Sequence, residues 1–181
     1  MYRRLWYNNP KAAMIRSGKE REPEDLILFD TPLGLMGLEE EDGALVSLRL
    51  PGRPMPRIAC HETPLLAEGK RQVLEYLAGQ RRGFDLPLAP RGTEFYRSVW
   101  RALEDIPYGE TRSYRDIARA VGRPRAVRAV GQANHNNPIP IIIPCHRVVG
   151  ANGSLTGYAG GLDMKKHLLR LEAGAAAGKE R

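Results

Sequence analysis

The sequence predicts an α+β protein: a small N-terminal three-stranded sheet with a covering helix, followed by a mostly helical domain that carries a helix-turn-helix and a candidate active-site cysteine. Three observations lead there. Short apolar runs separated by turn residues fill the first half, helical periodicity fills the second, and a breaker-rich stretch from Leu86 to Gly92 divides them. With 181 residues, 42% apolar and 27% charged, the chain is long enough to bury a real core and too apolar for wholesale disorder. The expected organisation is a basic N-terminal extension over residues 1–24, a sheet domain over 25–90, a second domain over 91–174 and a tail over 175–181.

The strands are expected at Leu26–Phe29, Leu33–Leu38 and Ala44–Leu50, with Asp30-Thr31-Pro32 and the acidic run Glu39–Gly43 as turns. Pro64 opens a helix with Leu65, Leu66, Gly69, Val73, Leu74 and Leu77 on one side, closing at Gly79. Nothing in this half reads as catalytic. In the second half, Phe95, Val99, Ala102, Leu103 and Ile106 fall at helical spacing, and Pro107-Tyr108-Gly109 stops that helix. Ser113 is expected to cap the next helix, with Asp116 completing a capping box. A further helix from Pro124 to about His135 and a last one over Leu162–Glu172 complete the elements, with Ala173–Arg181 frayed.

Charge is distributed unevenly. Residues 1–90 carry 13 basic and 13 acidic side chains, whereas 91–170 carry 13 basic against six acidic, so the net +7 lies wholly in the second half. A basic face on one half of an otherwise neutral protein points to a polyanion such as nucleic acid. Six arginines (112, 115, 119, 123, 125, 128) crowd the two short helices, and Arg125, Arg128 and Gln132 are expected to share a face of the second. Ala126, Ala129, Gly131 and Ala133 keep that helix slim. A helical hairpin with a solvated arginine face would show the same charge; the small residues favour contact with DNA.

No run is long enough to cross a bilayer, and the N-terminus has no continuous apolar core, so a cytoplasmic protein (nuclear in a eukaryote), not secreted, is expected. Two cysteines, Cys60 and Cys145, cannot build a disulfide framework. Ile139–Pro144 is an apolar, proline-stiffened lead that delivers Cys145 beside His146 and Arg147, and a Gly-rich hairpin, Gly150–Gly153, follows. Positive neighbours favour the nucleophilic thiolate, and the fixed approach is expected to hold the sulfur at a pocket mouth. A buried structural cysteine is the commoner state of a free thiol. Cys60-His61-Glu62 is the contrast: it has no apolar lead and no basic stripe, and reads as incidental.

Arg128-Ala129-Val130-Gly131, Asn137-Pro138 and Ile143-Pro144-Cys145-His146-Arg147-Val148 closely resemble the signature of O6-alkylguanine-DNA alkyltransferases. So do Val99-Trp100-x-x-Leu103-x-x-Ile106-Pro107-x-Gly109, Ser113-Tyr114 and Tyr158-x-Gly160-Gly161-Leu162, in order and without gaps from Phe95 to Glu172. The resemblance implies that Cys145 accepts an alkyl group from guanine, that His146 takes the thiol proton through water, and that Glu172 orients the imidazole. It implies that Tyr114 assists guanine as leaving group and that Asn137 fixes the turn before the cysteine. Arg128 becomes the finger that fills the stack left by a flipped base, with Arg125, Ala129, Gly131, Gln132, Tyr114 and Arg112 on the DNA face in the minor groove. Arg147, Val148, Tyr158, Ala159 and Gly160 become the guanine pocket.

The resemblance implies no cofactor, a monomer, and double-stranded DNA containing O6-alkylguanine as partner. Three departures stand out: Ala159 occupies a position where members often carry a hydroxyl, Cys60 with His61 are too few for the N-terminal zinc that some members hold, and the basic segment Met1–Glu22 is extra to the family pattern. A non-reacting sensor of alkylated bases, a transcription factor and a cysteine hydrolase are the competing classes. Cys145 argues against the first, the Ala/Val/Gly character of the second short helix against the second, and the arginine stripe against the third.

Overall fold

The computed structural model describes residues 25–55 and 60–177. Strands β1 (Asp25–Thr31), β2 (Gly34–Glu41) and β3 (Ala44–Arg49) form an antiparallel meander in that order. The hairpin between β2 and β3 is a tight Asp42-Gly43 turn with both residues at positive φ, 51° and 75°, as the twist of a two-residue hairpin demands. The acidic run is therefore strand where a turn was expected. Each carboxylate of β2 has a partner that makes this tolerable: Arg49 for Glu39, the Thr63 hydroxyl for Glu40 and Arg91 for Glu41. A register shift between Glu39 and Glu40 turns both toward protected surroundings.

Helix α1 (Pro64–Leu77) starts at Pro64 as expected, and the structure adds a cap, the Thr63 hydroxyl accepting from Leu66 N at 3.1 Å. Its buried residues Leu66, Gly69, Val73 and Tyr76 form one stripe, with Gly69 against Leu38 and Leu45 of the sheet. A side chain at Gly69 would sit 3.1 Å from the Leu38 methyl, so glycine sets the close approach. The chain leaves α1 through Gly79 at φ 73°.

The stretch expected as a domain boundary is hydrogen-bonded structure. Leu45 N donates to Pro87 O (2.8 Å), Ala89 N to Leu45 O (2.9 Å), and Leu48 N to Pro138 O (2.9 Å), so the free edge of β3 is covered by backbone from both sides of residue 90. One continuous core follows, running from Leu38, Leu45 and Leu48 to Trp100, Val130 and Ile139–Ile143.

In the second half, α2 (Glu94–Glu104) is capped by Thr93, and Trp100, fully buried, donates from Nε1 to Ala133 O at 2.8 Å. Strand β4 (Arg112–Ser113) leads directly into α3 (Tyr114–Ala120) through the predicted capping box: Ser113 Oγ accepts from Asp116 N at 3.2 Å and Asp116 Oδ2 accepts from Ser113 N at 2.9 Å. Helix α4 spans Val127–His135 and α5 spans Gly161–Ala177.

Two helix boundaries also differ from expectation. Helix α4 begins at Val127, because Arg123–Ala126 close a turn of their own (Ala126 N to Arg123 O, 2.9 Å) and no side chain caps the helix earlier; Arg125 thus precedes the helix whose face it was expected to share. Helix α5 continues past Glu172, since Ala173 and Ala175–Ala177 have high helix propensity. The expected Gly150–Gly153 hairpin is a tight turn (Gly153 N to Gly150 O, 2.9 Å; Gly150 N to Ser154 O, 2.8 Å), and the strand before it, β5 (Val148–Val149), pairs in parallel with β4. The N-terminal extension and the last four residues of the tail lie outside the described residues.

Replacing Ser113 by alanine removes the acceptor for one orphan amide of α3 and should lower stability by about 1 kcal/mol in denaturant unfolding; an unchanged midpoint would contradict the capping role.

Candidate functional site

Cys145 is delivered by a constrained turn. Asn137 ties it at both ends, Oδ1 accepting from Ile139 N (3.0 Å) and Nδ2 donating to Ile143 O (2.9 Å). Ile143 N also returns to Ile139 O at 2.9 Å. Inside this loop Ile141 takes φ 72°, a conformation that costs a β-branched residue energy and is held by full burial. Residues Cys145–Arg147 then form a single 3-10 turn, and Asn134 Nδ2 donates to Cys145 O at 3.3 Å.

Helix α5 faces that turn with Lys165, Leu168 and Glu172, all buried and spaced to fall on one side of a helix. His146, fully buried, places Nε2 2.9 Å from Glu172 Oε1. Arg147 donates Nε (3.1 Å to each oxygen) and Nη2 (2.9 Å) to the same carboxylate, and Nη1 to Ile106 O at 2.6 Å. Gly109 N donates to Glu172 Oε2 at 3.0 Å, and the Tyr76 hydroxyl of α1 donates to Oε1 at 2.5 Å. Burial opposes the charge on Glu172, but the hydrogen bonds from His146 and Arg147 outweigh it and hold the carboxyl at about 2. Burial lowers the His146 pKa despite Glu172, so the imidazole is neutral at neutral pH. Its Nδ1 is buried and has no partner among the described residues.

The thiol corrects two expectations. Cys145 is 1% exposed, not at a pocket mouth, and burial pushes its pKa up to about 11 against the pull of the Asn137 hydrogen bond and the Lys165 charge. The positive neighbour expected to favour the thiolate, Arg147, is spent on Glu172 and the Ile106 carbonyl. A cleft of about 490 Å³ between residues 82–88 and 104–108 reaches Arg147 and Pro144 from behind the turn and does not include Cys145.

The remaining sequence-predicted residues fall in two groups. Around the thiol, the Tyr158 ring stands edge-on to His146 (centroids 6.5 Å apart) with its hydroxyl buried and unpartnered among the described residues. Val148 is buried and offers its carbonyl to Lys165 Nζ at 2.6 Å. Ala159 O accepts from Arg53 at 3.0 Å, and any side chain at Gly160 would strike Met164 Sδ. Tyr114 donates to Thr156 O at 3.3 Å, the same carbonyl that Lys165 holds at 2.8 Å.

On the outer face, Arg125, Arg128, Ala129 and Gln132 are exposed, and Gly131 has open space where a side chain would project. Arg112 pairs with Glu110, and Arg123 lies over the Phe95 ring at 5.5 Å, so the stripe is partly occupied internally. Cys60 is exposed in an irregular stretch and joins none of these contacts.

Two residues escaped the sequence reading. Lys165 could have been found from its spacing to Glu172, seven residues on and therefore on the same helix face. Tyr76 continues the buried stripe of α1, but no local pattern announces that its hydroxyl meets a carboxylate 96 residues away.

The profile described as 6-O-methylguanine DNA methyltransferase, DNA binding domain, matches residues 94–174. A methylated-DNA-protein-cysteine methyltransferase of Methanosarcina acetivorans is 50% identical over 149 residues, covering 80% of this chain and 96% of its own length. The chain belongs to this family. The constitutive Bacillus subtilis member is 51% identical over 79% of this chain and 92% of its own. A Mycobacterium tuberculosis OGT solved in complex with DNA superposes with a TM-score of 0.78 at 44% identity, covering 83% of this chain and 94% of that one. Among the described residues no helix is long and apolar enough to cross a membrane.

The Glu172 network makes stability depend on pH. Its folded pKa of about 2 lies below the ordinary 4.5, so the stabilisation is complete above about pH 5 and is lost as pH falls toward 2. That loss amounts to about 3 kcal/mol. The depressed His146 pKa acts in the same direction. Urea unfolding at stepped pH should show this decline and a flatter one for Glu172→Gln; matching slopes would contradict it.

Proposed function

We propose that this protein repairs O6-alkylguanine in duplex DNA by transferring the alkyl group, once and irreversibly, to Cys145. The observation that carries the proposal is the buried Cys145-His146-Glu172 arrangement, zipped through the β4–β5 pairing to the helix pair that bears the exposed arginines. Membership of a DNA-repair alkyltransferase family and likeness to an OGT solved with DNA support both the chemistry and the partner.

The chemistry follows from the pKa values. With a thiol near 11, only about one molecule in ten thousand carries a thiolate at pH 7, so a base is required. His146 supplies it: Nε2–H is held by Glu172, and the unpartnered Nδ1 takes the thiol proton through a water. Lys165 and Asn137 oppose the cost of the negative sulfur. The sulfur–carbon bond forms as the carbon–O6 bond breaks, and the electron pair leaves with guanine. The thiol proton ends on guanine, which departs neutral with the Tyr114 phenol as hydrogen-bond donor. The product thioether is beyond ordinary thiol exchange, which makes the protein single-turnover.

A base inside a duplex is out of reach of a buried sulfur, so the target is flipped out, at a cost of about a few kcal/mol. The exposed Arg128 fills the vacancy, and the slim Ala129-Gly131 surface lets α4 enter the narrow minor groove. Arg125 and Gln132 contact the backbone beside it.

Intact mass after mixing with a duplex holding one O6-methylguanine should show a single methyl adduct that maps to Cys145 and saturates at one per protein; tight binding without an adduct would make the protein a sensor. Arg128→Ala should slow repair of the duplex by on the order of tenfold to a hundredfold and leave reaction with a free alkylated base nearly unchanged. Equal loss on both substrates would contradict the finger role.

A further inference from the structure

Tyr76 belongs to the N-terminal half, in which the sequence offers nothing catalytic, yet it ends inside the relay. It is fully buried in α1, its ring edge-on to Tyr108 (centroids 6.0 Å, 85°) and to His146 (6.5 Å, 63°) and tilted against Phe84 (5.1 Å). Its oxygen lies 2.5 Å from Glu172 Oε1 and 3.2 Å from His146 Nε2. A phenol has one proton to give, and a carboxylate can only accept it, so the O–H points to Glu172 and the lone pairs face the imidazole. Nε2 of His146 therefore meets two acceptors, Glu172 Oε1 and Tyr76 Oη, and has a partner only when it carries the proton.

We infer that Tyr76 is a positioning residue for the alkyl transfer: its hydroxyl clamps the Glu172 carboxylate and fixes His146 as the Nε2–H tautomer, which leaves Nδ1 as the base. The inference rests on the alkyl-transfer reading above and extends the active site into the N-terminal half. Burial and the neighbouring Glu172 charge raise the Tyr76 pKa, so the phenol stays protonated and its polarity does not change with pH.

The groups that set the charge around His146 are few. Cys145 and Arg147 come from its own turn, Tyr158 from the following loop, Lys165 and Glu172 from α5, and Tyr76 from α1 with Tyr108 behind it. Of these, Tyr76 alone both donates to Glu172 and faces Nε2 with an acceptor. Its short bond to Glu172 draws carboxylate charge away from the imidazole; the longer contact to Nε2 is the weaker of the two. Removing the hydroxyl therefore leaves Glu172 freer to stabilise an imidazolium, and a protonated His146 cannot act as base.

The test is the pH dependence of the second-order rate of methyl transfer from an O6-methylguanine duplex, for the wild type and Tyr76→Phe, with duplex affinity measured alongside. The expected result is an acid limb moved up by about one pH unit, so that the rate on that limb falls about tenfold at fixed pH while duplex affinity is unchanged. A folded Tyr76→Phe protein whose limb coincides with the wild type would overturn the inference, whatever its melting temperature, because the hydroxyl would then have no hold on the His146 titration. Histidine 15N NMR of the wild type decides the tautomer without any variant: Nε2–H is expected, and an Nδ1–H tautomer at His146 overturns the inference even if the variant does not fold. Failure of the wild type itself to transfer methyl would instead remove the alkyl-transfer reading, so the two failures are distinguishable.

Discussion

A carboxylate at 1% exposure organises this molecule. Glu172 sits where an isolated charge would be prohibitively expensive, and the structure answers with donors from every element nearby: Tyr76 from α1, Gly109 from the turn after α2, and His146 and Arg147 from the 3-10 turn. Such an arrangement adds little net stability compared with an apolar core of the same volume. Its consequence is positional, because no one of the four segments can shift without leaving a buried charge short of a partner. The catalytic turn is fixed by electrostatics on one side and by the Asn137 ties and the strained Ile141 on the other.

The same turn is mechanically continuous with the helix pair that carries the exposed arginines. Val148 and Val149, the residues directly after Arg147, pair with Arg112 and Ser113, and Ser113 caps α3 at whose first position Tyr114 stands. Lys165 and Tyr114 meet on one carbonyl, that of Thr156, which ties the loop beside the thiol to both α5 and α3. On the proposed single-turnover reading, this rigidity serves one encounter, and burial keeps the thiol protonated until then.

What the sequence disclosed was whatever is local. Proline at the start of α1, Ser113 as a cap with Asp116, and Gly79 past a helix end are decided by neighbours within four residues. The cysteine was recognisable from its contiguous motif. What it concealed depends on contacts between distant segments. Glu39–Glu41 reads as a turn until Arg49, Thr63 and Arg91 are placed beside it. Arg147 reads as a partner for the thiol until Glu172 claims it from the far end of α5. The thiolate-favouring surroundings inferred from adjacent positive charge gave way to burial, which a linear sequence does not display. Tyr76 was hidden for the same reason, since its ring fits the apolar stripe of α1 and only the tertiary fold gives its hydroxyl a function.

One buried carboxylate, Glu172, holds both halves of the protein around the Cys145–Arg147 turn. Amide hydrogen exchange of Glu172→Gln against wild type addresses it most directly. Protection is expected to fall together in the last turns of α1, in residues 106–113 and in residues 145–149, while the β1–β2 hairpin keeps its own. A loss confined to α5, with α1 and the catalytic turn exchanging as before, would contradict it.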